Sequence, residues 1–89
     1  MSTSVTVGML AASALSIGAE AALRGAMTES VKDAYNTLKR RIAFLAKSDV
    51  ESLENEPESI GRKAVVAEVI DRQDSNALIE IKKLAITLT

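Results

Sequence analysis

The first nineteen residues of the chain carry no ionisable side chain, and the first charge along the sequence is Glu20. After Thr6 this segment consists mainly of Ala, Gly, Ser, Leu, Ile and Met. A helix with almost no polar side must be buried on more than one face. Because a chain of 89 residues offers few other helices to cover it, the segment predicts that further copies of the same protein share its burial.

The composition predicts a thin hydrophobic core. Apolar residues make up 47% of the chain, but Tyr35 and Phe44 are the only aromatic residues. Alanine contributes little buried area, whereas full burial of a Leu or Ile side chain stabilises a fold by roughly 1.5–3 kcal/mol. Self-association would add to such a core. The sequence has no Cys, which fits a reducing compartment, and we expect a cytoplasmic protein.

Helical periodicity is clearest in the second predicted helix. One stripe with the spacing i, i+3, i+4, i+7 comprises Val31, Ala34, Tyr35, Leu38, Ile42 and Leu45. Thr28 or Ser30 can cap the first turn of this helix. Phe44 projects from its opposite side, where the ring would contact water unless another helix or another molecule covers it.

Three further helices are predicted after this one. A short third helix begins with Ser48 and Glu51 as a capping box and directs Val50 and Leu53 inward. Pro57 then turns the chain. The fourth helix is expected to bury Ile60, Ala64, Val65 and Val69, with Val66 and Ile70 as further candidates, and the last helix, over residues 77–88, to bury Leu78, Ile81, Ala85 and Leu88.

The first helix presents two different surfaces on a helical wheel. One surface carries only small residues, namely Ala11, Ala14, Gly18, Ala21, Ala22 and Gly25. Such a face allows another backbone to approach closely, and that backbone can belong to the second helix of the same chain. Leu10 and Ile17 lie on another flank and are better candidates for contact with a second molecule. Gly18 and Gly25 each weaken a helix by about 1 kcal/mol relative to Ala, so we expect a bend or break there.

The charges of the chain are segregated, although its net charge is only −1. The basic patch comprises Lys39, Arg40, Arg41 and Lys47, and the acidic patch comprises Glu51, Glu54, Glu56 and Glu58. The two patches are expected to be different surfaces of opposite sign, and contacts between unlike surfaces build rings or open filaments. We therefore predict self-association through both patches, reinforced by Leu10, Ile17 and Phe44.

The sequence offers little for catalysis or for cofactor binding. There is no His and no Cys, so the commonest general base, thiolate nucleophiles and soft metal ligands are missing. No Ser-x-x-Lys, no Gly-x-Ser-x-Gly and no glycine-rich phosphate loop occurs. We expect no enzyme activity, no catalytic residue, no cofactor and no metal site, and we interpret the acidic patch as a solvated face rather than a calcium site.

Nucleic acids and membranes are not expected as partners. The basic residues 39–41 have only Phe44 near them as a stacking group, and the adjacent glutamates would repel a phosphate backbone. The uncharged run over residues 5–19 would span about 22 Å as a helix, less than the roughly 30 Å of a hydrocarbon core.

Residues 1–89 are thus predicted to form a single helical interaction domain with an all-α fold, a compact bundle of four to five helices. Several segments resemble small bacterial helical domains of the death-like or effector-associated type, namely residues 30–35 (SVKDAY), Leu38-Lys39, Leu53-Glu54, residues 57–59 (PES), residues 61–63 (GRK), Val66 and Glu68. The resemblance covers about residues 18–88. It implies a death-fold-like adaptor in bacterial immune or conflict signalling that recruits copies of itself, or a like domain on a protease, nuclease, NTPase or pore-forming effector.

Two other functions stay open at this point. One is a closed homo-oligomeric bundle with a structural or antitoxin-like role, which would show a single mass in light scattering. The other is a membrane-active small protein that inserts residues 1–27, which would float with liposomes.

Overall fold

The computed structural model describes residues 6–88, and these residues form four α-helices and no β-strand. The helices are α1 (Val7–Leu23), α2 (Glu29–Asn55), α3 (Ile60–Asp71) and α4 (Ser75–Leu88). Together they form a bundle with dimensions of 34 × 31 × 24 Å. The predicted all-α bundle is confirmed, including its last helix.

Each of these helices begins next to a hydroxyl or carboxylate oxygen that accepts a backbone hydrogen bond. The accepting side chains are Thr6, Thr28, Ser59 and Asp74. Such caps satisfy N–H groups that have no partner within the first turn of a helix. Of the two predicted caps of α2, Thr28 and Ser30, the structure has Thr28.

Helix α1 packs against α2, α3 and α4 at once. Its buried residues are Gly8, Ala11, Ala12, Ala14, Leu15, Ser16, Gly18 and Ala19. The prediction that other copies share the burial of this segment is therefore wrong for these eight residues, and residues 1–5 of the segment lie outside the described part of the chain. The physical reason is side-chain size, because a helix of Ala and Gly allows three neighbouring helices to approach it from different sides.

Gly18 allows α2 to approach α1 closely. A Cβ atom at this position would lie 2.2 Å from Cδ1 of Tyr35, so the aromatic ring packs directly on the α1 backbone. The helix continues through Gly18, and the bend predicted there is wrong. It ends at Leu23, and Gly25 adopts a left-handed conformation with a φ of 67°, which confirms the break predicted at this second glycine.

Helix α2 consists of two arms that meet at Ala46, whose φ of −152° and ψ of 63° are not helical. Nζ of Lys39 lies 2.9 Å from Oε2 of Glu54, although a straight helix would separate these residues by about 22 Å. The second arm therefore folds back on the first. This second arm corresponds to the predicted third helix, but the break lies at Ala46, ahead of the predicted start at Ser48.

The predicted core positions of α2 and α4 are confirmed, because all of them are buried or half-buried. The fully buried positions are Tyr35, Leu38, Ile42, Val50, Leu53, Ile81 and Ala85, and the half-buried ones are Val31, Ala34, Leu45, Leu78 and Leu88. Local spacing predicts these positions well, because one helical face alone meets the core.

The predicted inward face of α3 is wrong for Ile60, Ala64 and Val65, and it is confirmed for Val66 and Ile70. Ile60 is 79% exposed, and Ala64 and Val65 also face solvent. The buried residues are Val66, Ala67 and Ile70, and Val69 is half-buried. Helix α3 carries apolar residues on most of its sides, so spacing alone identifies no single stripe. Contact with α1 decides its orientation, and there the N–H of Gly8 donates a 2.7 Å hydrogen bond to Oδ1 of Asp71.

The contact at Gly18 makes a testable prediction about stability. Gly18→Ala should lower the free energy of unfolding by about 1–3 kcal/mol, because the added methyl group collides with the Tyr35 ring. This loss should occur although Ala favours a helix over Gly by about 1 kcal/mol. Chemical denaturation followed by circular dichroism measures the difference.

Gly61→Ala is the matched control, since the nearest atom to a new Cβ there lies 3.9 Å away. That variant should be as stable as the wild type, or more stable by up to about 1 kcal/mol. Equal stability of the Gly18→Ala variant and the wild type would contradict the close approach of α1 and α2.

Candidate interaction surface

Several members of the basic and acidic patches are paired within the chain. The ion pairs are Lys39–Glu54 at 2.9 Å, Arg41–Glu80 at 3.0 Å and Arg62–Glu56 at 3.3 Å. The prediction that the patches form two different surfaces is wrong for Lys39 and Glu54, because the fold-back at Ala46 brings these side chains together. Each of these two charges therefore already has a partner of opposite charge within the chain.

Four members of the two patches form no ion pair within residues 6–88. They are Arg40, Lys47, Glu51 and Glu58, and all four are exposed. These charges can contact another molecule without breaking an interaction of the fold.

Tyr35 and Glu54 form a polar contact next to the ion pair with Lys39. The Tyr35 hydroxyl donates a 2.7 Å hydrogen bond to Oε2 of Glu54, the same oxygen that contacts Lys39. Burial of the hydroxyl, this hydrogen bond and the negative charge of Glu54 raise the pKa of Tyr35 well above its ordinary value of 10.0. Glu54 therefore joins the two arms of α2.

Phe44 is the most exposed large apolar residue in the described part of the chain, with 84% of its surface accessible. Arg40 lies one helical turn before it on the same side of α2. A shallow groove between α2 and α4 includes both and is lined by Thr37, Arg40, Arg41, Phe44, Glu80 and Leu84. We call these six residues the Phe44 face. Lys47 follows the kink at Ala46, so helical spacing does not place it beside the ring.

The two apolar candidates on α1 differ in exposure. Leu10 is half-buried and packs against the core, whereas Ile17 is 52% exposed. Leu10 therefore contributes to the fold, and Ile17 is accessible. Leu23 is 74% exposed at the end of α1, although it was not among the predicted contact residues. Its signal was present, because it is the one large apolar residue between Gly18 and Ala26.

The described residues contain no group of three or more acidic side chains that could hold a metal ion. Within residues 6–88, no helix has both the length and the apolar character of a membrane span. Exposed apolar side chains next to free charges are instead suited to contact with another protein.

One family of known domains matches nearly the whole chain. The model of the Het-E N-terminal domain, HetE-N, matches residues 3–89. The chain belongs to this family. HetE-N domains are helical, effector-associated domains of NACHT-type proteins of immunity and conflict, which confirms the resemblance to effector-associated domains at that level. No curated protein and no solved structure matches the chain significantly.

The Tyr35–Glu54 contact makes a prediction about pH. Tyr35 is the only tyrosine, so the ultraviolet absorbance of tyrosinate reports its ionisation directly. The folded HetE-N domain should ionise well above pH 10.0, whereas the chain in denaturant should ionise near that value. Between these two pKa values only the unfolded chain releases the proton. The contribution of Tyr35 to stability is therefore complete below pH 10.0 and is lost as the pH rises above it.

Glu54→Gln separates the causes of this shift. The variant keeps the burial of Tyr35, which is the largest cause, and removes the negative charge. The pKa of its tyrosine should therefore fall between those of the folded and the unfolded wild type. A folded wild type that ionises at the same pH as the denatured chain would disprove the contact.

Proposed function

We propose that this HetE-N domain is a non-enzymatic adaptor that self-associates and recruits a like domain on an effector protein. The proposed setting is bacterial immune or conflict signalling in the cytoplasm. Family membership supports this proposal, because HetE-N domains belong to NACHT-type proteins of immunity and conflict. The lack of His and Cys in the sequence supports a role without catalysis.

The exposure of Phe44 is the observation that carries the proposal. An aromatic ring that is 84% accessible contributes nothing to the core of its own domain. Arg40 lies beside it without an ion pair in residues 6–88, and aromatic and Arg side chains are the types most enriched in interaction hot spots. The Phe44 face therefore combines an apolar anchor with a free cation.

Phe44 and Arg40 are expected to contribute differently to the contact, because burial of an apolar side chain and formation of an exposed ion pair differ in free energy. Burial of a Phe side chain stabilises a contact by roughly 1.5–3 kcal/mol. An exposed ion pair contributes only about 0–1 kcal/mol. Phe44 would therefore supply most of the affinity, while Arg40 would favour one orientation and a faster encounter.

The burial of α1 supports association between domains that are already folded. Its small residues from Gly8 to Ala19 pack against α2, α3 and α4 of the same chain, so the fold does not depend on a second copy to close its core. Association of such domains rises and falls with concentration. A closed obligate bundle would instead complete its core at the interface.

Phe44→Asp tests this proposal. The substitution removes the apolar anchor and places a charge in the contact, so self-association should weaken by about tenfold or more. Light scattering across a range of concentrations measures the mass of the assemblies, and electron microscopy shows whether they are filaments.

Ile79→Asp is the matched control, because Ile79 is 55% exposed on α4 and lies outside the Phe44 face. Both variants should keep the helix content of the wild type, since neither replaced side chain is buried. A wild type that stays monomeric at high concentration would refute self-association. One fixed mass at all concentrations would instead favour the closed bundle.

A further inference from the structure

A second groove lies where α1 ends and α2 passes into α3. It is lined by Leu23, Asn55, Glu56, Pro57, Glu58 and Ser59. We call these six residues the Leu23 groove. None of them belongs to the Phe44 face, so each copy of the domain carries two distinct surfaces.

The Leu23 groove combines apolar surface with negative charge. Leu23 is 74% exposed at one side of it. Glu56 is paired with Arg62, whereas the exposed Glu58 forms no ion pair in the described part of the chain. The groove therefore presents one free carboxylate near an accessible apolar side chain.

Two neighbouring arginines have partners other than Glu58. Arg24 follows Leu23 in the sequence, but its guanidinium lies 3.6 Å from a carboxylate oxygen of Glu20. Arg62 donates hydrogen bonds to the carbonyl oxygen of Ser52 and to Glu56. Both guanidinium groups thus have partners within the chain.

The Phe44 face carries the opposite combination. Its aromatic ring projects from α2, and Arg40 is the free cation beside it. Arg41 and Glu80 neutralise each other at 3.0 Å, so they add no net charge. A projecting ring with one free cation therefore complements a groove with one free carboxylate.

We propose that the occupant of the Leu23 groove is a second copy of this chain, whose Phe44 packs against Leu23 and whose Arg40 pairs with Glu58. This inference rests on the proposed self-association and specifies the surface that receives the Phe44 face. A guanidinium suits a carboxylate because the two groups can form parallel hydrogen bonds. Neither side chain has to leave an ion pair of the fold.

The contact has a consequence for the assembly. The two surfaces of one copy are different, so the contact is heterologous, and a row of copies keeps one Phe44 face and one Leu23 groove open at its ends until a ring closes. Such a contact continues into a ring or a filament. An isologous contact, in which one Phe44 face meets another, would stop at a dimer.

Mixing two variants tests the heterologous contact. Phe44→Asp keeps an intact Leu23 groove, and Leu23→Asp keeps an intact Phe44 face. Each variant alone should associate at least about tenfold more weakly than the wild type. An equimolar mixture should form a dimer of one copy of each, which cannot extend, and light scattering measures its mass.

Charge reversal tests the predicted ion pair. Arg40→Glu and Glu58→Arg should each slow assembly at low salt, because like charges then meet across the contact. The double variant restores opposite charges and should recover most of the wild-type rate. A double variant as slow as either single variant would overturn the Arg40–Glu58 pairing.

The outcomes separate this inference from the proposed function. A wild type that never associates refutes both. A wild type that assembles through Phe44 while Leu23→Asp assembles equally well overturns the Leu23 groove alone. Two monomeric variants whose mixture stays monomeric overturn it as well. Leu23→Ser repeats the test without a new charge if thermal unfolding shows that Leu23→Asp is destabilised.

Discussion

The close approach of three helices to one small-residue helix is the constraint on which this fold depends. A Cβ atom at Gly8 would lie 2.2 Å from the carbonyl oxygen of Ala67, and one at Gly18 would lie as close to the ring of Tyr35. Helix α1 can therefore contact α3 near its beginning and α2 towards its end without large side chains between the backbones. Ala and Gly bury little area themselves, but they allow the Leu, Ile and Val residues of the other helices to share one core.

The fold-back of α2 at Ala46 decides which charges remain at the surface. It brings Lys39 and the Tyr35 hydroxyl to the same oxygen of Glu54. The basic and the acidic segment, which are separate in the sequence, therefore contact each other within the chain. Of the charges that form no ion pair in residues 6–88, Arg40 and Glu58 lie on two different surfaces. In the proposed contact, each of these two charges lies beside an exposed apolar side chain, Phe44 or Leu23.

Because the core is closed within one chain, the proposed association joins domains that are already folded and is not needed to complete the core. Because α2, α3 and α4 cover the buried residues of α1, a copy can fold first and associate afterwards through exposed side chains. An adaptor of an immune system benefits from this order, since association can respond to concentration or to a nearby partner. Membership of the HetE-N family is compatible with such a role.

The sequence by itself determined the all-α class, the buried stripe of α2 and the outward position of Phe44, and it restricted the cap of α2 to Thr28 or Ser30. These features depend on residues within one or two helical turns, where spacing and capping report geometry directly. Only the tertiary structure decided that α1 is covered by its own chain, that α3 buries Ala67 instead of Ile60, and that Lys39 meets Glu54. Each of these features depends on contacts between residues that are far apart in the sequence. Such contacts form only where two helix backbones can approach closely, and a local sequence pattern carries no information about the distance between two helices.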